Sequence, residues 1–168
     1  NAFTADIFSA ESEVALSLFV GNANSPTGIG TLIMHGGSLA LGDSLVLGEE
    51  FGDEGFLTNT GATLNVTVDA IVGDQGLGSM TVGGSAVVTV GVDLFIGDGG
   101  TGDEEAGSLV TVNGGTLNVG DNIFIARLAG TDGRIIQSGG LIDVADKDQT
   151  GLIRQRLHDR GHQSHVHH

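Results

Sequence analysis

Residues 108–126 read SLVTVNGGTLNVGDNIFIA. Three short apolar segments, 109–112, 116–119 and 123–125, are separated by Gly114-Gly115 and by Gly120-Asp121. Within them apolar and polar residues alternate, as in Leu117-Asn118-Val119, which is the period of a strand. Glycine supplies the positive φ that a sharp corner needs without a Cβ penalty. The stretch therefore predicts three strands and their corners.

The same layout returns along the chain. An apolar residue is followed six positions later by another at Val14/Val20, Leu41/Leu47, Val66/Val72, Val90/Ile96 and Val119/Ile125. The sixfold spacing never changes, whereas the anchors are 27, 25, 24, 29 and, to Val144, 25 residues apart. Fixed spacing inside a unit and variable spacing between units describe rigid strands joined by elastic loops. Three strands and three corners per unit make one turn of a coil. Turns stacked at ~4.8 Å bury Leu, Val, Ile and Phe in one internal column. The expected fold is all-β: a right-handed parallel β-solenoid, or β-helix, of about five to six coils with three short strands per coil. A sandwich or barrel of short strands would not require a regular unit.

Composition narrows the field further. The 168 residues include 30 Gly, one Pro, no Cys, no Trp and no Tyr, with a formal charge of −15. A collagen triple helix is excluded by the missing G-X-Y period and the single Pro. At 39% hydrophobic residues the chain has the means to build a core. No apolar run approaches the ~20 residues of a membrane-spanning helix, so no membrane insertion is expected. Without Cys there is no disulfide, thiol catalysis or thiolate metal site. Six Lys and Arg against 21 acids cannot track phosphates, so nucleic acid is not an expected partner.

The chain divides into 1–30, an N-terminal cap and degenerate first coil; 31–151, the solenoid repeats; and 152–168, a basic, His-rich tail. The tail carries Arg154, Arg156 and Arg160 and five of the six His. It reads as an appended affinity tail, a cap on the last coil, or a metal-binding segment using His162, His165, His167 and His168. The chain starts at Asn1 without a leader pattern, and a Cys-free, acidic, Gly-rich sequence fits export.

The strings GG-x-L-x-V-G-D-x-(I/L)-F-I-G, seen at 114–126 and 85–97, resemble the glycine-rich β-helical repeats of bacterial autotransporter passengers and PEP-CTERM-associated repeat proteins. The resemblance covers about 31–144. It implies a secreted or bacterial cell-surface location and no catalytic residue. The first functional reading is accordingly a structural, adhesive or surface-interaction role. A polysaccharide or another surface protein would be the partner, and open coil ends or edges could pair with a second copy.

The acids are grouped. The third corner of the units carries Glu49, Glu50, Asp53 and Glu54, then Asp74, then Asp98, Asp103, Glu104 and Glu105, then Asp132. A second column is expected from Asp43, Asp69, Asp93 and Asp121. One explanation is solubility and protection of strand edges. The other is a hard cation, since Ca²⁺ takes six to eight oxygens. Calcium would be the cofactor of loop 97–107, with Asp98, Asp103, Glu104 and Glu105 as ligands. That loop nearly contains the Gly-Gly-x-Gly-x-Asp unit of calcium-binding β-rolls, once rather than in tandem.

Three catalytic or nucleotide motifs occur by letters. Gly97-x-Gly99-x-x-Gly102 is followed by Asp103, Glu104 and Glu105, which would repel a pyrophosphate, so no nucleotide cofactor is expected. Asp69 and Asp93 hold equivalent places in successive turns, near 5 Å apart. That is close to the carboxylate separation of a retaining glycosidase. They are the catalytic candidates of a second reading, a carbohydrate-active hydrolase or lyase with or without calcium, to be set against a plain acidic ladder. A third reading is an esterase or lactonase. Gly42-Asp43-Ser44-Leu45 resembles the nucleophile block of GDSL esterases, with Asp159 and His162 completing a triad. Against it, Gly42-Asp43-Ser44 aligns with Gly120-Asp121-Asn122 as an ordinary corner. Thr63, Thr89 and Thr116 do not fall in one column, so no ice-binding row is expected.

Overall fold

The computed structural model describes residues 2–8, 11–14, 16–22, 28–99 and 107–145. These form fifteen strands and no helix, and every strand pairing is parallel. The first coil is β1 (Ala2–Ile7), β2 (Glu11–Val14) and β3 (Leu18–Val20). The second is β4 (Ile29–Met34), β5 (Ser38–Leu41) and β6 (Leu45–Leu47). The third is β7 (Glu54–Asn59), β8 (Thr63–Val66) and β9 (Ala70–Val72). The fourth is β10 (Leu77–Gly83), β11 (Val87–Val90) and β12 (Leu94–Ile96). In the fifth coil β13 (Ser108–Val119) runs through the first two faces without a break, and β14 (Ile123–Ile125) makes the third. β15 (Gly133–Val144) lays the first two faces of a sixth coil upon β13. The chain is thus a β-solenoid, and three strands per coil hold through the fourth turn. Beyond it, Gly114, at φ 144°, a conformation open to glycine but rarely to other residues, carries the strand through the first corner.

Like faces stack. The first two faces merge through β13 into one ten-stranded sheet, β1-β4-β7-β10-β13-β11-β8-β5-β2, with β15 beside β13. The third faces form a separate sheet, β14-β12-β9-β6-β3. The sixfold anchors fall in perfect register. Val14, Leu41, Val66, Val90, Val119 and Val144 align on the second face. Val20, Leu47, Val72, Ile96 and Ile125 align on the third. Six residues are the length of the corner between those faces plus one strand. Leu41, Leu47, Val66, Val72, Val90 and Ile96 are all buried, and each such side chain contributes ~1.5–3 kcal/mol on leaving water.

The corner after the third strand shows why glycine is needed. Gly21, Gly48, Gly73 and Gly97 have φ between 67° and 79°. A Cβ on Gly48 would lie 2.3 Å from the Leu77 carbonyl oxygen, and one on Gly97 2.2 Å from that of Asp132. Both clashing atoms belong to a later coil. Ala126 holds the same place in the fifth coil at φ 49°, where no further described coil stacks on it.

One core position is polar. Asn59 lies between Met34 and Val82 in its column and is fully buried. Its Nδ2 donates to the Ala62 carbonyl at 3.0 Å, and its Oδ1 accepts from the Ala62 N–H at 2.9 Å. The side chain satisfies the corner's backbone where the chain turns from β7 to β8.

Candidate functional site

The register sorts charge by face. In coils two to five, residues 31–41, 55–66, 78–90 and 108–119 contain no Asp, Glu, Lys or Arg. These are the first two faces and the corner between them, save the opening residues of the first strands, of which Glu54 in β7 is acidic. Their outward rows are short, neutral side chains: Thr58-Thr81-Thr111, Ser38-Thr63-Val87-Thr116, Ala40-Asn65-Thr89-Asn118 and Thr31-Phe56-Ser79-Leu109. One titratable group, His35, sits in the corner of the second coil, stacked on Phe8 at a ring separation of 4.7 Å. Over coils two to five the result is a broad neutral area with Glu54 at its margin, on a protein whose formal charge is −15. The end strands β1, β2 and β15 of the same sheet carry Asp6, Glu11, Glu13, Arg134 and Asp143.

Among the described residues of coils two to five, the acids other than Glu54 lie on the remaining arc, around the third face. Each third strand is apolar at all three positions: LFV, LVL, AIV, LFI and IFI. The outer two residues face the core, so the middle ones, Phe19, Val46, Ile71, Phe95 and Phe124, stack on the other side, where Val46 is buried and the remaining four are at least partly exposed. Phe95 and Phe124 stack at 5.1 Å with an interplanar angle of 11°.

Polar columns flank this ladder. On the side entering the strand, Ser17, Ser44, Asp69, Asp93 and Asn122 follow one another up the coils. The Ser44 N–H donates to Ser17 Oγ at 3.4 Å, and the Asp69 N–H to Ser44 Oγ at 3.4 Å. The Asp93 N–H donates to Asp69 Oδ1 at 3.0 Å, and the Asn122 N–H to Asp93 Oδ1 at 2.9 Å. The first four of these side chains each accept the corner amide of the coil above. On the leaving side stand Asn22, Glu49, Asp74, Asp98 and Arg127. Asn22 donates to Glu49. Arg127 grips Asp98 through Nε at 3.0 Å and Nη2 at 2.9 Å, and its guanidinium lies 4.8 Å from the Phe95 ring centre. Burial raises the Glu49 pKa, reinforced by Glu50, Asp74 and Asp53 and opposed by the Asn22 hydrogen bond. Burial also raises that of Asp74, with Asp98 adding to it.

The structure brings Asp69 and Asp93 together on neighbouring coils, next to the paired residues Ala70 and Leu94. Both are engaged as acceptors of backbone amides, and Asp93 also accepts from Asn122 Nδ2 at 3.1 Å. Asp43 and Asp121 stand one residue earlier, so the second acidic column contains two acids rather than four. Asp43 accepts from Ser17 Oγ at 2.9 Å and from Ser44 Oγ at 3.3 Å. Ser44 is thus a member of the corner ladder, while Asp159 and His162 lie outside the described residues. Of the calcium candidates Asp98 is paired with Arg127, and Asp103, Glu104 and Glu105 lie outside the described residues. Among the described residues no three His, Asp or Glu side chains gather as a metal site. A cleft of about 600 Å³ opens at the end of the first coil between Phe3, Leu18, Phe19 and Ile29, and none of its described lining residues is titratable.

The sequence reading did not find the broad neutral area, the apolar ladder or the Arg127 bridge. The ladder had a signal: a strand apolar at consecutive positions is one built to be covered on both faces. Comparison with family models, curated proteins and solved structures returns no match for this chain.

Proposed function

We propose that this chain is a secreted or cell-surface β-solenoid with a structural and adhesive role, and that it makes contact through its broad neutral sheet. The separation of charge carries the reading: a protein with 21 acids keeps residues 31–41, 55–66, 78–90 and 108–119 of four successive coils free of them, with Glu54 alone at the margin of those two faces. Placing a neutral partner on a charged surface strips water from ions without replacing it, which costs several kcal/mol per ion. A face of Thr, Ser, Asn and small apolar residues avoids that cost and still offers hydrogen bonds. The acids on the other arc keep the rod solvated and resist non-specific association. Asp69 and Asp93, each holding a corner amide, are consistent with a structural role on that arc.

The partner that suits such a sheet is an uncharged polysaccharide, whose hydroxyls meet the threonine rows and whose C–H faces meet Phe56, Val87 and Leu109. The resemblance to surface-exposed repeat proteins points the same way. Co-sedimentation with insoluble neutral polysaccharides, with an anionic polysaccharide as control, tests the idea. Retention on a neutral polymer should drop at least tenfold in Thr81→Lys, at the sheet's centre, and be unchanged in Gln75→Lys on the acidic arc. No retention, or retention indifferent to Thr81→Lys, defeats the proposal.

A further inference from the structure

The narrow face poses a separate question. Its ladder exposes Phe19, Ile71, Phe95 and Phe124 along the rod, with Val46 buried between the first two, where a soluble sheet would ordinarily place polar side chains. Carboxylates line both sides: Asp69 and Asp93 on one, Glu49, Asp74 and Asp98 on the other. The chain itself displays what this combination holds. Arg127 lies against the Phe95 and Phe124 rings, 4.8 and 5.5 Å from their centres, and makes a bidentate pair with Asp98. A planar guanidinium satisfies both neighbours at once, stacking on an aromatic face while its N–H groups meet a carboxylate. Arg127–Asp98 is the one ion pair among the described residues, so no Lys or Arg there answers Glu49 or Asp74. Burial, reinforced by neighbouring like charges, already pushes Glu49 and Asp74 toward holding a proton.

From the apolar ladder, its acidic margins and the Arg127 bridge we infer that the narrow face is a docking groove for an extended cationic polypeptide segment in which arginine alternates with apolar residues. Apolar side chains of the segment cover Ile71 and Phe95. Its guanidiniums repeat the Arg127 arrangement at Asp74 and Glu49. From the first coil to the fifth is roughly 19 Å at the ~4.8 Å coil step, a length that about six extended residues span at ~3.3 Å each. The occupant is a separate polypeptide. The chain's own basic tail and a second copy are the rivals, and each has an outcome of its own below.

The test is fluorescence anisotropy with a labelled (Arg-Leu)4 peptide and the full chain, whose lack of Trp and Tyr leaves the optical window clear. The expected result is saturable binding, with a labelled (Arg-Ser)4 of equal charge at least tenfold weaker. Ile71→Asp should weaken (Arg-Leu)4 at least tenfold although it makes the protein more negative, and Asp74→Asn should weaken it about threefold. Equal affinity for the two peptides, or undiminished binding to Ile71→Asp, means plain polyanion attraction and overturns the inference. The peptide comparison uses unmodified protein and so does not depend on any variant folding. If Arg154→Ala, Arg156→Ala and Arg160→Ala together raise peptide affinity tenfold, the tail already fills the groove and a separate partner is refuted. A dimer in sedimentation that Ile71→Asp dissolves would assign the groove to a second copy, with the same consequence.

Discussion

Replacing Asn59 by Asp preserves the shape of the side chain and turns one hydrogen bond into a repulsion. Asn59 is fully buried, with Met34 and Val82 as its neighbours in register, and it both donates to and accepts from the Ala62 backbone. A carboxylate keeps the bond from the Ala62 N–H but presents a second oxygen to the Ala62 carbonyl. In an apolar surrounding that charge is strongly disfavoured, and a shift of ~3 pKa units is typical of a fully buried carboxyl. At ~1.4 kcal/mol per unit this costs about 4 kcal/mol at pH 7, a large part of the ~5–15 kcal/mol that holds a domain together. The raised folded-state pKa sets the sign. The penalty is largest above the folded value, shrinks as pH falls through it, and vanishes below the unfolded value of ~3.9. At pH 4.5 the protonated side chain again has a hydrogen for the Ala62 carbonyl, and the deficit should fall to about 1 kcal/mol on the same shift. Urea denaturation followed by far-UV circular dichroism, variant and wild type side by side at each pH, measures both numbers. A deficit under ~1 kcal/mol at pH 7, or one that ignores pH, would refute the account of this corner and of the charge-intolerant column behind it.

Three further outcomes follow from the same geometry. Because burial and like charges raise the folded-state pKa values of Glu49 and Asp74, the wild-type protein should gain stability from them as pH falls from 7 toward 5; Asp74→Asn should raise Tm at pH 7 and flatten that dependence. Gly55→Ala places a Cβ 2.2 Å from the Val20 carbonyl oxygen and should cost at least ~2 kcal/mol, whereas Gly130→Ala, with open space around it but φ 82°, should cost only ~1 kcal/mol, both read from urea midpoints. Leu64→Ala, in the middle coil and fully buried, should lose ~2–5 kcal/mol by calorimetry or denaturant titration.

The columns of the core were legible in the sequence because they depend on local chain length. From the second-face anchor to the third-face anchor is always six residues, so Leu41/Leu47 and Val90/Ile96 betray the corner between them. Positions counted across a corner were harder to place. Asp43 and Asp121 stand two residues after Leu41 and Val119, whereas Asp69 and Asp93 stand three after Val66 and Val90, an offset hidden by the shared Gly-Asp or Val-Asp lettering of the corners. Counting back from Leu45, Ala70, Leu94 and Ile123, which do pair, puts Ser44 and Asn122 in that column instead. Threonines behaved likewise. Thr63 and Thr116 share a row, with Thr89 in the next, and the aligned row Thr58-Thr81-Thr111 emerges only from the pairing of β7, β10 and β13. Asn59 was invisible because Asn59-Thr60-Gly61 has the composition of a turn, although the amide faces the core. Arg127 and Asp98, 29 residues apart, meet across a unit whose loop is the longest between anchors.

The division of charge is made within each coil, not between one end of the rod and the other. Each of coils two to five brings its own share of neutral sheet and its own share of acidic fringe. Gaining or losing a whole unit would leave the chemistry of both surfaces intact and change only their valency. For a repeat protein, whose stability is close to a sum over neighbouring units, reach becomes adjustable by duplication alone. Weak contacts from each coil then combine on a polymeric partner that repeats as the rod does.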